Sequence, residues 1–316
     1  MSYEDLKGHA QTIKELAISK TIDQGIQASS GAAAYGGVPP IGFLEDQAKM
    51  MFSGTESIFD EWLGLPDPSH FSSGLSTLQG AMSALGAESY LTNDLAQQYA
   101  GGSGTSMNIS AIEPTGAFMQ GWQSGTALSY ANFAGVFGPV AANLSMAMNV
   151  LHGAYDAERA LWEEARKNVD GLAEATITAL EKCTDKRPKD VQMALTVLGA
   201  VAGVVAVPFT AGGSLAASYT FATIGAATAL GGAFAPEETE SDSPITGDVP
   251  WEIVDSLVHN LTTLNEKICA AEDKIHQALT DTAGDFGAAL GLPSGQSPVK
   301  MPRPSVADDP SLGRHG

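Results

Sequence analysis

Residues 140–183 read VAANLSMAMNVLHGAYDAERALWEEARKNVDGLAEATITALEKC. Val140, Leu144, Ala147, Leu151, Ala154, Leu161, Ala165 and Leu172 follow alternating spacings of three and four, with Ala175 or Thr176 closing the run. Side chains so placed fall on one stripe of an α-helix, and the heptad-like alternation keeps that stripe against a second helix. Glu158 and Asn168 interrupt the stripe, while Asp156, Arg159, Glu163, Arg166, Lys167, Asp170 and Glu174 make the opposite face polar. A long amphipathic helix ending before Pro188 therefore needs a partner. Residues 250–290 supply one. Asp248 can cap it and Pro250 suits its first turn. Val254, Leu257, Leu261, Leu264, Ile268, Ala271, Ile275 and Leu279 then repeat the alternation. The two stripes predict a seam in which Leu261, Leu264 and Ile268 face Leu144, Leu151 or Leu161.

Outward from this pair, residues 1–71 divide into short helices and loops. Leu6, Ile13, Leu16 and Ala17 mark a helix over 3–19. The Gly-, Ala- and Ser-rich stretch 25–42 reads as a loop, and a second short helix runs over 43–62 until Pro66-Asp67-Pro68 stops it. From Ser72 the helical pattern resumes through Leu75, Leu78, Met82 and Leu85 to Leu91, Leu95 and Tyr99, so that 72–190 forms a helical hairpin. Residues 236–249 are an acidic linker. The Pro-containing residues 291–316 have no apolar period and read as a disordered tail. No stretch has a convincing strand pattern. The predicted class is all-α, an elongated helical bundle whose long amphipathic helices flank an apolar helical hairpin at 191–235.

The chain has 316 residues, with 16 Lys+Arg against 36 Asp+Glu and a formal charge of −20. Such a surface repels phosphate backbones, so nucleic acid is not an expected partner. Lys186-Arg187-Pro188-Lys189 is bracketed by Asp185 and Asp190, which leaves no polybasic cluster for anionic lipid. Two cysteines, Cys183 and Cys269, do not form a disulfide scaffold. Met1-Ser2-Tyr3-Glu4-Asp5-Leu6 lacks the basic start and apolar run of a cleaved signal. The expectation is either an intracellular protein or one exported by a route that reads a folded helical signal.

Chemistry-bearing motifs are sparse. His9, His70, His152, His259, His276 and His315 have no second ligand at metal-site spacing. Gly121-Trp122-Gln123-Ser124-Gly125 places its serine one residue late for a nucleophile elbow. Gly101-Gly102-Ser103-Gly104-Thr105 lacks a phosphate-loop lysine. The abundant carboxylates lie on solvated helix faces. The expectation is a non-enzymatic protein without cofactor or metal.

Trp122 stands between two helical regions. An indole at such a corner covers the end of a hairpin, and the neighbouring glycines permit the turn. With Gly125, and with the following Ala127-Leu128-Ser129-Tyr130-Ala131-Asn132-Phe133, this stretch resembles the Trp-X-Gly helical-hairpin proteins exported by type VII secretion systems. The likeness covers about residues 72–183, with Trp122 and Gly125 as the matching positions. The spacing here is Trp-x-x-Gly, and a strict Trp62-Leu63-Gly64 stands earlier, ahead of Pro66 and Pro68. That family's Tyr-x-x-x-Asp/Glu export signal has its match in Tyr90 and Asp94, which precede Trp122. The resemblance implies secretion or cell-surface placement, with self-association or a small helical partner.

Residues 191–235 carry no charged side chain, and Pro208 with Gly212-Gly213 splits them into two arms. The first arm, 191–207, would span ~25 Å as a helix, just short of a hydrocarbon core of ~30 Å. Gly199 and Gly203 form a Gly-x-x-x-Gly that lets two helix backbones approach. The second arm is dilute in large apolar groups. Two readings stand: a tightly packed core hairpin, or a stored element that contacts membrane. Helix, apolar hairpin and helix in that order resemble the helical pore-forming toxins of the cytolysin A type. The leading expectation is an exported helical protein acting through self-association or membrane contact. A cytoplasmic or virion-associated structural protein is the rival.

Overall fold

In the computed structural model, residues 3–32, 40–85, 125–183, 194–195, 241–242, 245–293 and 296–301 are described. They form five α-helices: α1 (Leu6–Ala32), α2 (Ile41–Met51), α3 (Phe71–Leu85), α4 (Gly125–Lys182) and α5 (Pro250–Gly291). Short 3-10 turns lie at Tyr3–Asp5, Thr55–Ser57, Asp60–Trp62 and Pro68–His70. The class is all-α. The one departure is a two-residue antiparallel ladder, β1 (Ala194–Leu195) with β2 (Ser241–Asp242). Ala194 and Leu195 belong to the expected first apolar arm, so the arm's helix does not include them. The ladder joins the start of the uncharged stretch to the acidic linker that follows it.

The chain divides into two compact units, and both α4 and α5 contribute a segment to each. The first unit holds α1, α2, the turns up to Pro68, residues 160–182 of α4, and α5 up to Glu272. Leu6, Ala10, Ile13 and Ala17 are buried at i, i+4, i+7 and i+11 along α1. Helix α1 runs well past the expected end at residue 19. Its later part packs against α2, where a Cβ on Gly25 would sit 3.4 Å from Leu44. That contact holds helical a stretch whose composition alone suggests a loop.

Within this unit α4 is buried on more than one stripe. Leu161, Ala165 and Leu172 belong to the expected stripe, but Val169, Ala173, Ile177 and Leu180 lie off it and are buried as well. The face read as solvated carries Arg166 and Asp170, and these engage residues of the first helical segment, Tyr3 and His9. That face is therefore covered at Arg166 and Asp170, while Glu163 and Lys167 remain exposed. Helix α5 buries Ile253, Leu257, Leu261, Leu264 and Ile268. At its start the Glu252 carboxylate accepts from the Asp248 N–H at 2.7 Å, a reach-back of capping-box type. Gly247, at φ 157°, sits where a Cβ would lie 2.7 Å from the Ile253 nitrogen, so no larger residue fits the approach to α5.

The second unit holds α3, α4 up to Arg159, and α5 from Asp273 with residues 296–301. Ala154 and Ala157 pack with Ile275 and Leu279. Further along, Leu144, Ala147 and Phe286 pack against Ala289 and Val299. The pairs shift in opposite directions along the two helices, so α4 and α5 run antiparallel here. Phe71 meets Tyr155 edge-on, at 6.1 Å between ring centroids. Residues 296–301 fall in the expected disordered tail, yet they pack. Ser297 Oγ donates to the Ala289 carbonyl at 2.7 Å, Asn143 Nδ2 donates to Pro298 O at 2.8 Å, and Val299 is buried. Among the described residues no helix is long and apolar enough to cross a membrane.

Candidate functional site

The turns between α2 and Pro68 decide the local geometry of the first unit. Phe52, Phe59 and Trp62 are buried, which anchors a segment with little regular structure of its own. The Tyr3 hydroxyl donates to the Trp62 carbonyl and accepts from the Leu65 N–H at 3.2 Å. Arg166 Nη2 donates to the Leu65 carbonyl at 2.8 Å, and its guanidinium lies 4.6 Å from the Tyr3 ring centroid. Burial raises the Tyr3 hydroxyl above its ordinary pKa, against the pull of the Leu65 amide and the Arg166 charge. The strict Trp62-Leu63-Gly64 motif is thereby tied to the chain's first turn and to α4. Close by, the buried His9 places Nδ1 3.5 Å from Asp170 Oδ1, and neither ring nitrogen has a hydrogen-bond partner.

Trp62 also forms part of a groove of 430 Å³. One wall is the turn segment, with Ile58, Glu61, Trp62 and Leu65. The other is α5, which presents Val258, Leu261, Thr262, Asn265, Ile268, Cys269 and Glu272, while α4 contributes Trp162. Leu261, Ile268 and Trp62 are buried, Trp162 is half-buried, and Val258 is 43% exposed, so an apolar floor opens to solvent along one side. The charged groups in the lining, Glu61 and Glu272, are both acidic. Among the described residues, no group of three or more His, Cys, Asp or Glu could hold a metal ion.

The residues singled out in the sequence are distributed unevenly. Gly125 is the first residue of α4. Trp122, Tyr90, Asp94, Gly199, Gly203, Pro208, Gly212 and Gly213 lie outside the described residues. Of the seam, Leu161, Leu261, Leu264 and Ile268 are buried. Trp162, next to Leu161, shares the groove with Leu261 and Ile268. Leu144 instead packs in the second unit against the Ala289–Val299 cluster, and Leu151 is 38% exposed. Of the alternatives for the seam, the facing of Leu144 onto Leu261–Ile268 is thus corrected. The antiparallel pairing sends the earlier part of α4 to the later part of α5. Cys183 and Cys269 are both free, one buried and one exposed. Cys183 Sγ lies 3.6 Å from the Asp248 carbonyl oxygen, and Cys269 is a further ~30 Å along the helical rise of α5.

Sequence reading missed the groove because its members come from three separate segments. The strict Trp62-Leu63-Gly64 was the visible signal, and the two prolines after it obscured its role. Comparison with protein-family models, curated proteins and solved structures finds no match.

Proposed function

We propose that this chain is a non-enzymatic helical protein exported by a type VII-like system, acting through self-association or contact with a partner or membrane. The observation that carries the reading is the position of Trp62-Leu63-Gly64. The motif sits in a turn between α2 and α3, with the indole buried and its carbonyl bound by the Tyr3 hydroxyl. The secreted helical-hairpin family carries its Trp-X-Gly at the corner of a hairpin; here the strictly spaced Trp62-Leu63-Gly64 lies in the connection 52–70 between α2 and α3, ahead of Pro66 and Pro68. Gly125 at the start of α4 is consistent with a second such corner. An acidic, all-α chain suits recognition, and among the described residues no group of three or more His, Cys, Asp or Glu could hold a metal ion. Secretion is tested by comparing culture supernatant with cell lysate in strains with and without the secretion machinery. Equal retention inside both strains would sink the reading.

A second reading starts from the uncharged stretch 191–235 and its break at Pro208 and Gly212-Gly213. The β1–β2 ladder joins Ala194–Leu195 of that stretch to Ser241–Asp242 of the acidic linker that follows it. On that reading residues 191–235 contact lipid after release, in the manner of an α-helical pore-forming protein. A liposome-binding assay separates it from a cytoplasmic or virion-associated scaffold, which should ignore lipid.

A further inference from the structure

We infer that the groove between the Trp62 turn and α5 receives an amphipathic α-helix from another protein, one whose apolar stripe is flanked by lysine or arginine. The inference rests on the proposal that the chain acts by contact, and is independent of the export route. Three features of the groove select this occupant. The first is its length. The α5 wall extends from Val258 to Glu272, ~21 Å or about four helical turns at ~1.5 Å per residue. Val258, Thr262, Asn265, Cys269 and Glu272 follow one another at spacings of four, three, four and three. They form a stripe one position beyond the buried Leu257, Leu261, Leu264 and Ile268. A helix laid alongside meets such a stripe with its own i, i+3, i+4 and i+7 positions.

The second feature is the floor. Trp62 and Trp162 lie in the same groove as Leu261 and Ile268. Large aromatic and aliphatic groups in a recess are the usual receptors for an inserted apolar anchor. The third is charge. Glu61 and Glu272 come from opposite walls, no basic side chain lines the groove, and the whole chain carries −20. A basic flank on the incoming helix would be steered toward this opening and held in register there, whereas an acidic one would be repelled.

Cys269 supplies a local reporter, because it is an exposed thiol in the groove while Cys183 is buried. The full chain is treated with iodoacetamide, and alkylation of each cysteine is followed by peptide mass spectrometry. The probe is a synthetic helix of about eighteen residues, ~27 Å long, with Leu at i, i+3, i+4 and i+7 and Lys on its flanks. At ten times its dissociation constant it should slow Cys269 alkylation about tenfold by simple occupancy. The Glu61→Lys/Glu272→Lys variant should weaken that protection about tenfold. The Asp46→Lys/Asp281→Lys variant, with the same charge change away from the groove, should leave it intact.

The inference is overturned if the peptide binds without protecting Cys269, or if a Glu-for-Lys version of it protects equally. Equal weakening by both variants would mean non-specific adsorption of a polycation. Equal protection by benzyltrimethylammonium would make the groove a small-cation pocket instead. Because the readout is made on purified protein, loss of protection alongside intact export sinks this inference alone. Intact protection without export sinks only the route.

Discussion

Tyr3 performs two tasks with one oxygen. Its hydroxyl donates to the Trp62 carbonyl and accepts from the Leu65 amide, while Arg166 spans its ring and the Leu65 carbonyl. Removing that oxygen leaves two half-buried backbone groups without a partner at the turn that walls the groove. Tyr3→Phe should therefore cost ~1–3 kcal/mol, read as a lowered urea midpoint with a shift in tryptophan emission. An unchanged midpoint would mean that the turn is held by Phe59 and Trp62 alone. Asp170, next to it, responds to pH. Burial raises the Asp170 carboxyl above its ordinary range, assisted by Glu174 and Asp5 and opposed by His9. In the folded state Asp170 then keeps a proton that the unfolded chain has already released. Its contribution to stability is present on the acid side and is lost as pH rises from the ordinary carboxylate value through the raised one. Asp170→Asn abolishes that ionisation. Its unfolding free energy relative to wild type should climb as pH rises through the window, whereas a constant difference would exclude Asp170 as the source.

At the scale of elements, the seam separates positions that the sequence could not. Leu264 is fully buried in α5, and truncating such a side chain to Ala costs ~2–5 kcal/mol. Leu151 occupies an equivalent place in the α4 heptad pattern but is 38% exposed, so Leu151→Ala should stay within ~0.5 kcal/mol, as for ordinary surface substitutions. Thermal melts of the two variants side by side check this. A large loss from Leu151→Ala would place that residue in an interface between copies. The contrast shows what was legible. Alternating spacings identified α4 and α5 as long helices, and the Pro250 start of α5 was readable from its capping residues. Periodicity gives the face of a helix without the partner, however. Val169, Ala173 and Ile177 are buried off the expected stripe, and on the polar-looking side of α4 Arg166 meets Tyr3 and Asp170 meets His9. The packing of Val299 and Ser297 depends on a return of the chain after Pro293, and no local pattern announces it. The groove was hidden for the same reason. Glu61, Trp162 and Cys269 are ordinary residues until three segments meet.

At the scale of the molecule, two properties pull apart: an acidic exterior and a stretch, 191–235, with no charge at all. The β1–β2 ladder joins Ala194–Leu195, near the start of the stretch, to Ser241–Asp242 of the acidic linker beyond its end. A core hairpin and a stored membrane element make different demands on Gly199 and Gly203. If the arms pack face to face, both glycines stand where the backbones approach, and Leu at each should cost ~1–3 kcal/mol by overpacking. In a core hairpin the Gly199→Leu/Gly203→Leu variant should melt earlier and gain no affinity for lipid. In a stored element the same loosening should release apolar surface that lipid accepts, so liposome binding should rise as the melting temperature falls. Val204→Asp supplies the opposing case. A charge in the apolar arm is costly in either setting, so it should lower the melting temperature and also abolish any liposome leakage. Leakage and melting are therefore measured together on wild type and both variants, over a range of pH and lipid charge. Leakage by wild type that Val204→Asp removes supports membrane contact. Absence of leakage by wild type under every condition removes the pore-forming reading, and the stretch is then a packing element whose glycines serve only the approach of its arms.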